Sequence, residues 1–308
     1  MENFKFKDNE GIEITAYKWI PNGDIRGVIA ISHGMSESVL RYDYFARKLN
    51  DAGLAVYAHS HRGHGETALS KELLGYVADD DGFNWLVEDV KELVCIAKTE
   101  NKGVPIILFG HSMGSFVSQR FIQKHGDLID ALILSGSNGK PKPHIRFGKF
   151  IAGAEMKIKG RKAKSPLMDK LSFGDFNSWI KNPKTEYDWI CGNEDTVQEY
   201  IKDEYSGFVC TTSFYYDLIN GLFEIHKESN LKAIRKDLPI YIFAGDKDPV
   251  GYFGKGIISL HNTLQKVGVK DLNYKLYQDG RHEMLNEKNR DEVIKDTLDW
   301  ISRVVDIK

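Results

Sequence analysis

Short apolar runs alternate with amphipathic stretches along the first half of the chain. Val28-Ile29-Ala30-Ile31, Leu54-Ala55-Val56-Tyr57, Ile106-Ile107-Leu108-Phe109 and Ala131-Leu132-Ile133-Leu134 are nearly continuous and rich in β-branched or aromatic residues. This pattern predicts strands buried on both faces of a parallel sheet. Between them, residues 42–52, 87–98 and 113–124 carry helical periodicity. Strand, helix, strand, helix predicts a doubly wound sheet. The rhythm stops after Ser137, and residues 138–236 contain no comparable run. It resumes at Pro239-Ile240-Tyr241-Ile242-Phe243 and Tyr274-Lys275-Leu276-Tyr277, and a helix is expected over 290–304. Phe4 and Phe6, then Ile12 and Ile14, predict an antiparallel hairpin at the sheet edge. The expected fold is an α/β core of residues 1–137 and 237–308, mostly parallel, interrupted by a helical cap at 138–236.

Composition narrows the partners. Hydrophobic residues make up 42% and charged residues 28% of 308, with a formal net charge of −2. That balance argues against a nucleic-acid partner, which would call for a basic excess. Cys95, Cys191 and Cys210 are odd in number and widely spaced. A disulfide framework is not expected, and a reducing cytosol is. The N-terminus lacks the basic and apolar regions of a signal peptide, and no run is long enough to span a bilayer. Oligomeric state is not legible.

Chemistry concentrates after three strands. Gly110-His111-Ser112-Met113-Gly114 follows the run 106–109 and opens a helical pattern. A serine on a tight strand-to-helix turn needs small residues two positions to either side, and its hydroxyl is lifted clear of the sheet. Ser112 is therefore the candidate nucleophile. It needs a base, and in a sheet of this kind the order along the chain is serine, acid, histidine. His282 lies in a loop after the strand at 274–277. Loops at the carboxyl ends of strands gather catalytic groups. His125 and His261 fall in helical patterns, and His144 and His226 in the insertion. The acid should follow the run 240–243, where Gly245-Asp246-Lys247-Asp248-Pro249-Val250 offers two carboxylates. Asp248 is preferred because the turn must project it toward the His282 loop. Asp246 is held in reserve, with turn capping as its expected role.

The strand at 28–32 ends in His33-Gly34-Met35. The backbone N–H groups of Met35 and Met113 are the candidate oxyanion donors. His59, His61 and His64 cluster in one loop, but their spacing is wrong for a helical metal pair and no acid stands nearby before Glu66. A loop bracing the active-site floor is expected, with neither metal nor cofactor.

Together these segments resemble the monoacylglycerol lipase and lysophospholipase branch of the α/β-hydrolases. His33-Gly34-Met35 with Arg41-Tyr42, Arg62-Gly63-His64-Gly65, Gly110-His111-Ser112-Met113-Gly114, Gly245-Asp246-Lys247-Asp248 and Gly280-Arg281-His282-Glu283 carry the resemblance in the family's order. Gly75-Tyr76-Val77-Ala78-Asp79, Asp188-Trp189 and Tyr200 also fit. The resemblance implies a cap over the site, no metal, and Ser112, Asp248 and His282 as a triad. Met35 departs from the smaller residue common in relatives and is expected to narrow the acyl site.

The insertion leaves two matters open. Residues 140–164 hold nine Lys or Arg against one acid, Glu155, with Ile145, Phe147, Phe150, Ile151, Met156 and Ile158 interleaved. One reading packs the apolar face on the core and leaves the lysines solvated. The other lays the helix on an anionic membrane and delivers lipid from it. Residues 173–223 are rich in aromatics, suited to a cap core or an acyl groove. The first functional expectation is hydrolysis of single-chain lipid esters through an acyl-enzyme on Ser112. The alternatives are a carboxylesterase or thioesterase for short soluble acyl groups, and a non-catalytic binding protein on a hydrolase scaffold. An aminopeptidase is disfavoured because the cap shows no obvious acidic pair for an α-amino group.

Overall fold

The computed structural model describes residues 1–305. Strands β1 (Glu2–Lys7) and β2 (Glu13–Trp19) form the expected hairpin. Then follow β3 (Gly27–Ser32), α1 (Asp43–Asp51), β4 (Leu54–His59), α2 (Gly82–Glu100), β5 (Ile106–His111), α3 (Met113–Lys124) and β6 (Ala131–Ser135). Helices α4 (Ile145–Lys159), α5 (Pro166–Phe173), α6 (Glu194–Lys202), α7 (Thr212–Glu224) and α8 (Glu228–Ala233) come next. The chain returns through β7 (Ile240–Gly245), α9 (Lys255–Lys266), β8 (Leu272–Tyr277) and α10 (Arg290–Ile301).

The eight strands make one sheet in the order β1-β2-β4-β3-β5-β6-β7-β8. β2 pairs antiparallel with β1 and β4, and every later pairing is parallel. Strands β3, β4, β5, β6 and β7 are buried at every residue, as their unbroken apolar runs require. Their side chains alternate between two cores. Val28, Ala30, Ile106 and Leu108 face α2, α3 and α9, while Ile29, Ile31, Ile107 and Phe109 face α1 and α10. Helices on both faces leave the carboxyl ends of the parallel strands as the natural crevice.

Between β6 and β7 the chain carries the five helices α4 to α8, a stretch of turns over 174–193, and an isolated bridge between Lys164 and Thr211. α7 joins the main core through Phe214, Tyr215 and Ile219. α4 reaches α7 through its small residues: Gly148 faces Ile219 and Gly153 faces Tyr216. Ile145 and Ile151 pack against the main core, while Phe147, Phe150 and Ile158 turn outward, 66%, 71% and 83% exposed. The expectation that α4 packs its apolar face on the core is therefore overturned for these three. Among the described residues no helix is long and apolar enough to cross a membrane.

Arg62 locks the β1–β2 edge to the body. It is almost fully buried, and its guanidinium bonds Asp8 at 2.7 Å, Asp89 at 2.9 Å and Glu10, with its face over Trp85. Even so, burial pushes the Asp89 carboxyl up to about 7. Removing the cation would strand its carboxylates. Arg62→Met is expected to lose about 3–5 kcal/mol at pH 8, read by urea unfolding. The deficit should shrink toward pH 5.5, because a carboxyl whose folded pKa is raised destabilises less once protonated. Equal losses at the two pH values would contradict this account.

Candidate active site

Ser112 sits between β5 and α3 with φ 51° and ψ −119°, a strained conformation for a residue with a side chain. The flanking glycines make the turn sterically feasible. A Cβ at Gly110 would overlap Ser118 and the Gly114 carbonyl, and one at Gly114 would overlap the carbonyl oxygens of Ser32 and His33. α3 thus approaches β3 backbone to backbone, and its N-terminus opens directly beneath Ser112.

The turn after β7 brings Asp248, rather than Asp246, to His282. Asp248 Oδ1 accepts from His282 Nδ1 at 3.0 Å and from the Val250 N–H at 2.9 Å, and the residue is fully buried. Asp246 Oδ1 instead accepts the Asp279 N–H at 2.9 Å, tying its turn to the loop after β8. His282 is buried, which alone would lower its pKa. The Asp248 carboxylate, by charge and hydrogen bond, with help from Glu283 and Glu37, outweighs burial and raises it. Ser112 and His282 line one pocket, but no hydrogen bond joins them in this structure. Such bonds commonly tighten only when substrate is bound.

Gly34 and Met35 line the same pocket. Three imidazoles hold the loops behind them. His33 Nε2 accepts the His61 N–H at 2.9 Å, so its proton lies on Nδ1 and is donated to Gly34 O at 2.8 Å. His64 Nε2 accepts the Ser36 N–H at 3.1 Å, and its Nδ1 donates to Arg62 O at 3.0 Å. His61 Nε2 contacts the Ser32 hydroxyl at 3.1 Å. Burial keeps these imidazoles and His59 neutral, with His64 pushed down to about 4 and His59 to about 3. Of the histidines expected to brace the floor, His61 and His64 do so as neutral hydrogen-bonding groups, while His59 is buried with neither ring nitrogen bonded.

The pocket has a volume of ≈480 Å³ and is lined on one side by residues of the segment between β6 and β7. Phe173, Trp189, Tyr200 and Phe208 give it aromatic walls. Its rim carries Asp169, Lys170 and Glu186. The expectation that no acidic pair stands near the site therefore needs correcting, although Lys170 offsets the pair and Asp169 is held by the Tyr215 hydroxyl at 3.0 Å. Residues 188–192 are stitched to the base loop. Arg281 donates to the Asp188 and Cys191 carbonyls, Glu283 N–H to Ile190 O at 2.8 Å, and Gly192 N–H to Glu287 Oε1 at 2.7 Å. The Trp189 ring lies 5.3 Å from the His282 ring. Sequence reasoning quoted Arg281, Glu283 and Trp189 as motif members without a role, and Glu37 went unnoticed. Nothing in a single sequence marks a charged residue as buried.

A family profile described as "Serine aminopeptidase, S33" matches residues 23–289. A monoacylglycerol lipase of Mycolicibacterium smegmatis is 26% identical over 94% of this chain and 93% of its own. The monoglyceride lipase of Mus musculus is 23% identical over 92% of this chain and 85% of its own. A thermostable carboxyl esterase from Bacillus coagulans, solved in complex with glycerol, superposes with a TM-score of 0.91 at 28% identity, covering 98% of both chains. Nucleophile turn, fold and matched length converge, and the chain belongs to the serine aminopeptidase S33 family of α/β-hydrolases.

Proposed function

We propose that this serine hydrolase cleaves carboxylic esters of single-chain lipids, monoacylglycerols first, through an acyl-enzyme on Ser112. The observation that carries the mechanism is the Asp248–His282 hydrogen bond on the wall of the pocket that holds Ser112. His282 takes the serine proton as the hydroxyl attacks the ester carbonyl. The Met35 and Met113 amides receive the oxyanion, and His282 then protonates the leaving alcohol. Water repeats the sequence on the acyl-enzyme and releases the fatty acid. Asp248 fixes the imidazole tautomer and stabilises the imidazolium. The aromatic walls suit an acyl chain and the polar rim suits a small polyol head group. In this reading residues 138–236 act as the cap, and the names of the lipase relatives support the substrate class.

A fluorophosphonate probe should label the wild-type chain and leave Ser112→Ala unlabelled. p-Nitrophenyl esters of medium or long acids should turn over faster than the acetate. A preference for acetate would favour the short-chain alternative, and faster cleavage of an amino-acid p-nitroanilide would favour peptidase chemistry.

Asp248→Asn should lower kcat by about four orders of magnitude. Asp246→Asn removes one exposed hydrogen bond and should stay within about tenfold. Because the His282 pKa is raised and only the neutral imidazole accepts a proton, the acid limb of wild-type kcat/KM should lie above pH 6.5. Asp248→Asn should move that limb to lower pH. A wild-type limb below 6.5, or a greater loss in the Asp246 variant, would reverse the assignment.

The outward ring pair Phe147 and Phe150, with Ile158, supports contact with an anionic membrane surface. Leu167 and Leu171 of α5 are also half-exposed, and α5 contributes Phe173 to the pocket. Lys140, Lys157 and Lys170 stand in the same region of the chain. Co-sedimentation with phosphatidylglycerol vesicles should fall at least about tenfold in Phe147→Ser/Phe150→Ser, and should weaken with added salt. Unchanged binding would remove the membrane from this reading.

A further inference from the structure

In the wall of the pocket, which Glu37 and Glu283 help to line, a buried group of charges stands between the oxyanion-side loop and the base loop. Glu37, Arg41 and Glu283 have side chains only 5%, 9% and 6% exposed. Glu37 Oε1 accepts the Gly34 N–H, one residue before Met35, and also the Tyr42 hydroxyl at 2.8 Å. Its second oxygen lies 3.9 Å from Arg41 Nε. The other end of the guanidinium, Nη2, donates to Glu283 Oε2, which also accepts from Asn286 at 2.9 Å. Glu283 directly follows His282 in the chain. One side chain therefore reaches both halves of the site.

The arrangement has the layout of a cation site. Ligand atoms of Glu37, His111 and Glu283 all lie within 4.8 Å of one another. The guanidinium already supplies the positive charge, and its planar fork can face two carboxylates in different directions as an ammonium cannot. Burial, with the charge of Glu283, pushes the Glu37 carboxyl up to about 7, while the two glutamates hold the Arg41 guanidinium charged against burial. The insertion closes the group from above. The Tyr200 ring lies 5.0 Å from the guanidinium, and its hydroxyl donates to Ser36 O at 2.9 Å.

We propose that Arg41 is a positioning residue: through the Glu37–Arg41–Glu283 bridge it sets the distance between the Met35 amide and the His282 imidazole. This rests on the catalytic roles proposed above for Ser112, His282 and Met35. A bridge that only stabilised the fold would change the melting temperature and leave turnover by folded molecules intact. A positioning bridge changes kcat, because the oxyanion donor and the base must meet the same reacting carbonyl.

The test compares wild type with Arg41→Lys and with Glu37→Gln/Arg41→Met, after folding is verified by circular dichroism. The double variant keeps the net charge of the group while removing the bridge. Arg41→Lys should lower kcat for a p-nitrophenyl ester about 100-fold, the scale of one misplaced oxyanion donor. KM should change less than about threefold, since the fork touches no substrate. The double variant should remain equally impaired despite its restored charge balance. Wild-type-like kcat in a folded Arg41→Lys, or recovery of kcat in the double variant, would overturn the proposal. Failure of wild type to label with fluorophosphonate at Ser112 would instead overturn the catalytic reading beneath it.

Discussion

The close approach of α3 to β3 is the constraint on which the site depends. Gly114 has no side chain because the Ser32 and His33 carbonyls occupy the space where one would be. That contact forces the turn in which Ser112 is strained, and it sets the first amide of α3 opposite the loop after β3. The large sheet supplies the stability that a strained turn consumes, since β3 and β5 are buried at every residue on either side of the contact.

Around that point the protein uses neutral and charged groups for different purposes. The histidines behind the oxyanion-side loop are kept uncharged by burial and act as paired donors and acceptors to backbone. Their hydrogen bonds satisfy amides that would otherwise be buried without partners. His282 differs because Asp248 is buried against it and its own burial is outweighed. Environment rather than residue type separates the one imidazole whose pKa is raised from those that burial keeps neutral.

Much of this was legible in the chain. The unbroken apolar runs marked the buried strands, and glycines at 110 and 114 around a serine marked the turn. Asp248 was preferred to Asp246 because the turn had to project a carboxylate toward His282; Asp246 reaches the same loop, but at the Asp279 amide. Two kinds of feature were not legible. Glu37, Arg41 and Glu283 have the composition of a surface, and only the fold shows that they share one buried space. The orientation of α4 was hidden for a different reason. Its larger apolar residues suggest an inward face, yet Gly148, Ala152 and Gly153 make the closer contact and Phe147 and Phe150 turn out. Helix packing follows the distance of approach that small residues permit, and a count of apolar positions does not record it.

The stitching of residues 188–192 to the loop around His282 divides the insertion into two parts of unequal freedom. Trp189 and its neighbours share hydrogen bonds with the residues on either side of the imidazole, so a change there is also a change in the base. Among the described residues α4 and α5 share no hydrogen bond with the loop around His282, and α5 meets the stitched residues only through the Phe173 ring stacked on Trp189. Substrate range can therefore drift through these helices over evolutionary time while the reaction chemistry stays constant. An exchange of α4 and α5 between relatives would transplant preference, whereas an exchange that included Trp189 would have to carry Arg281 and Glu287 with it.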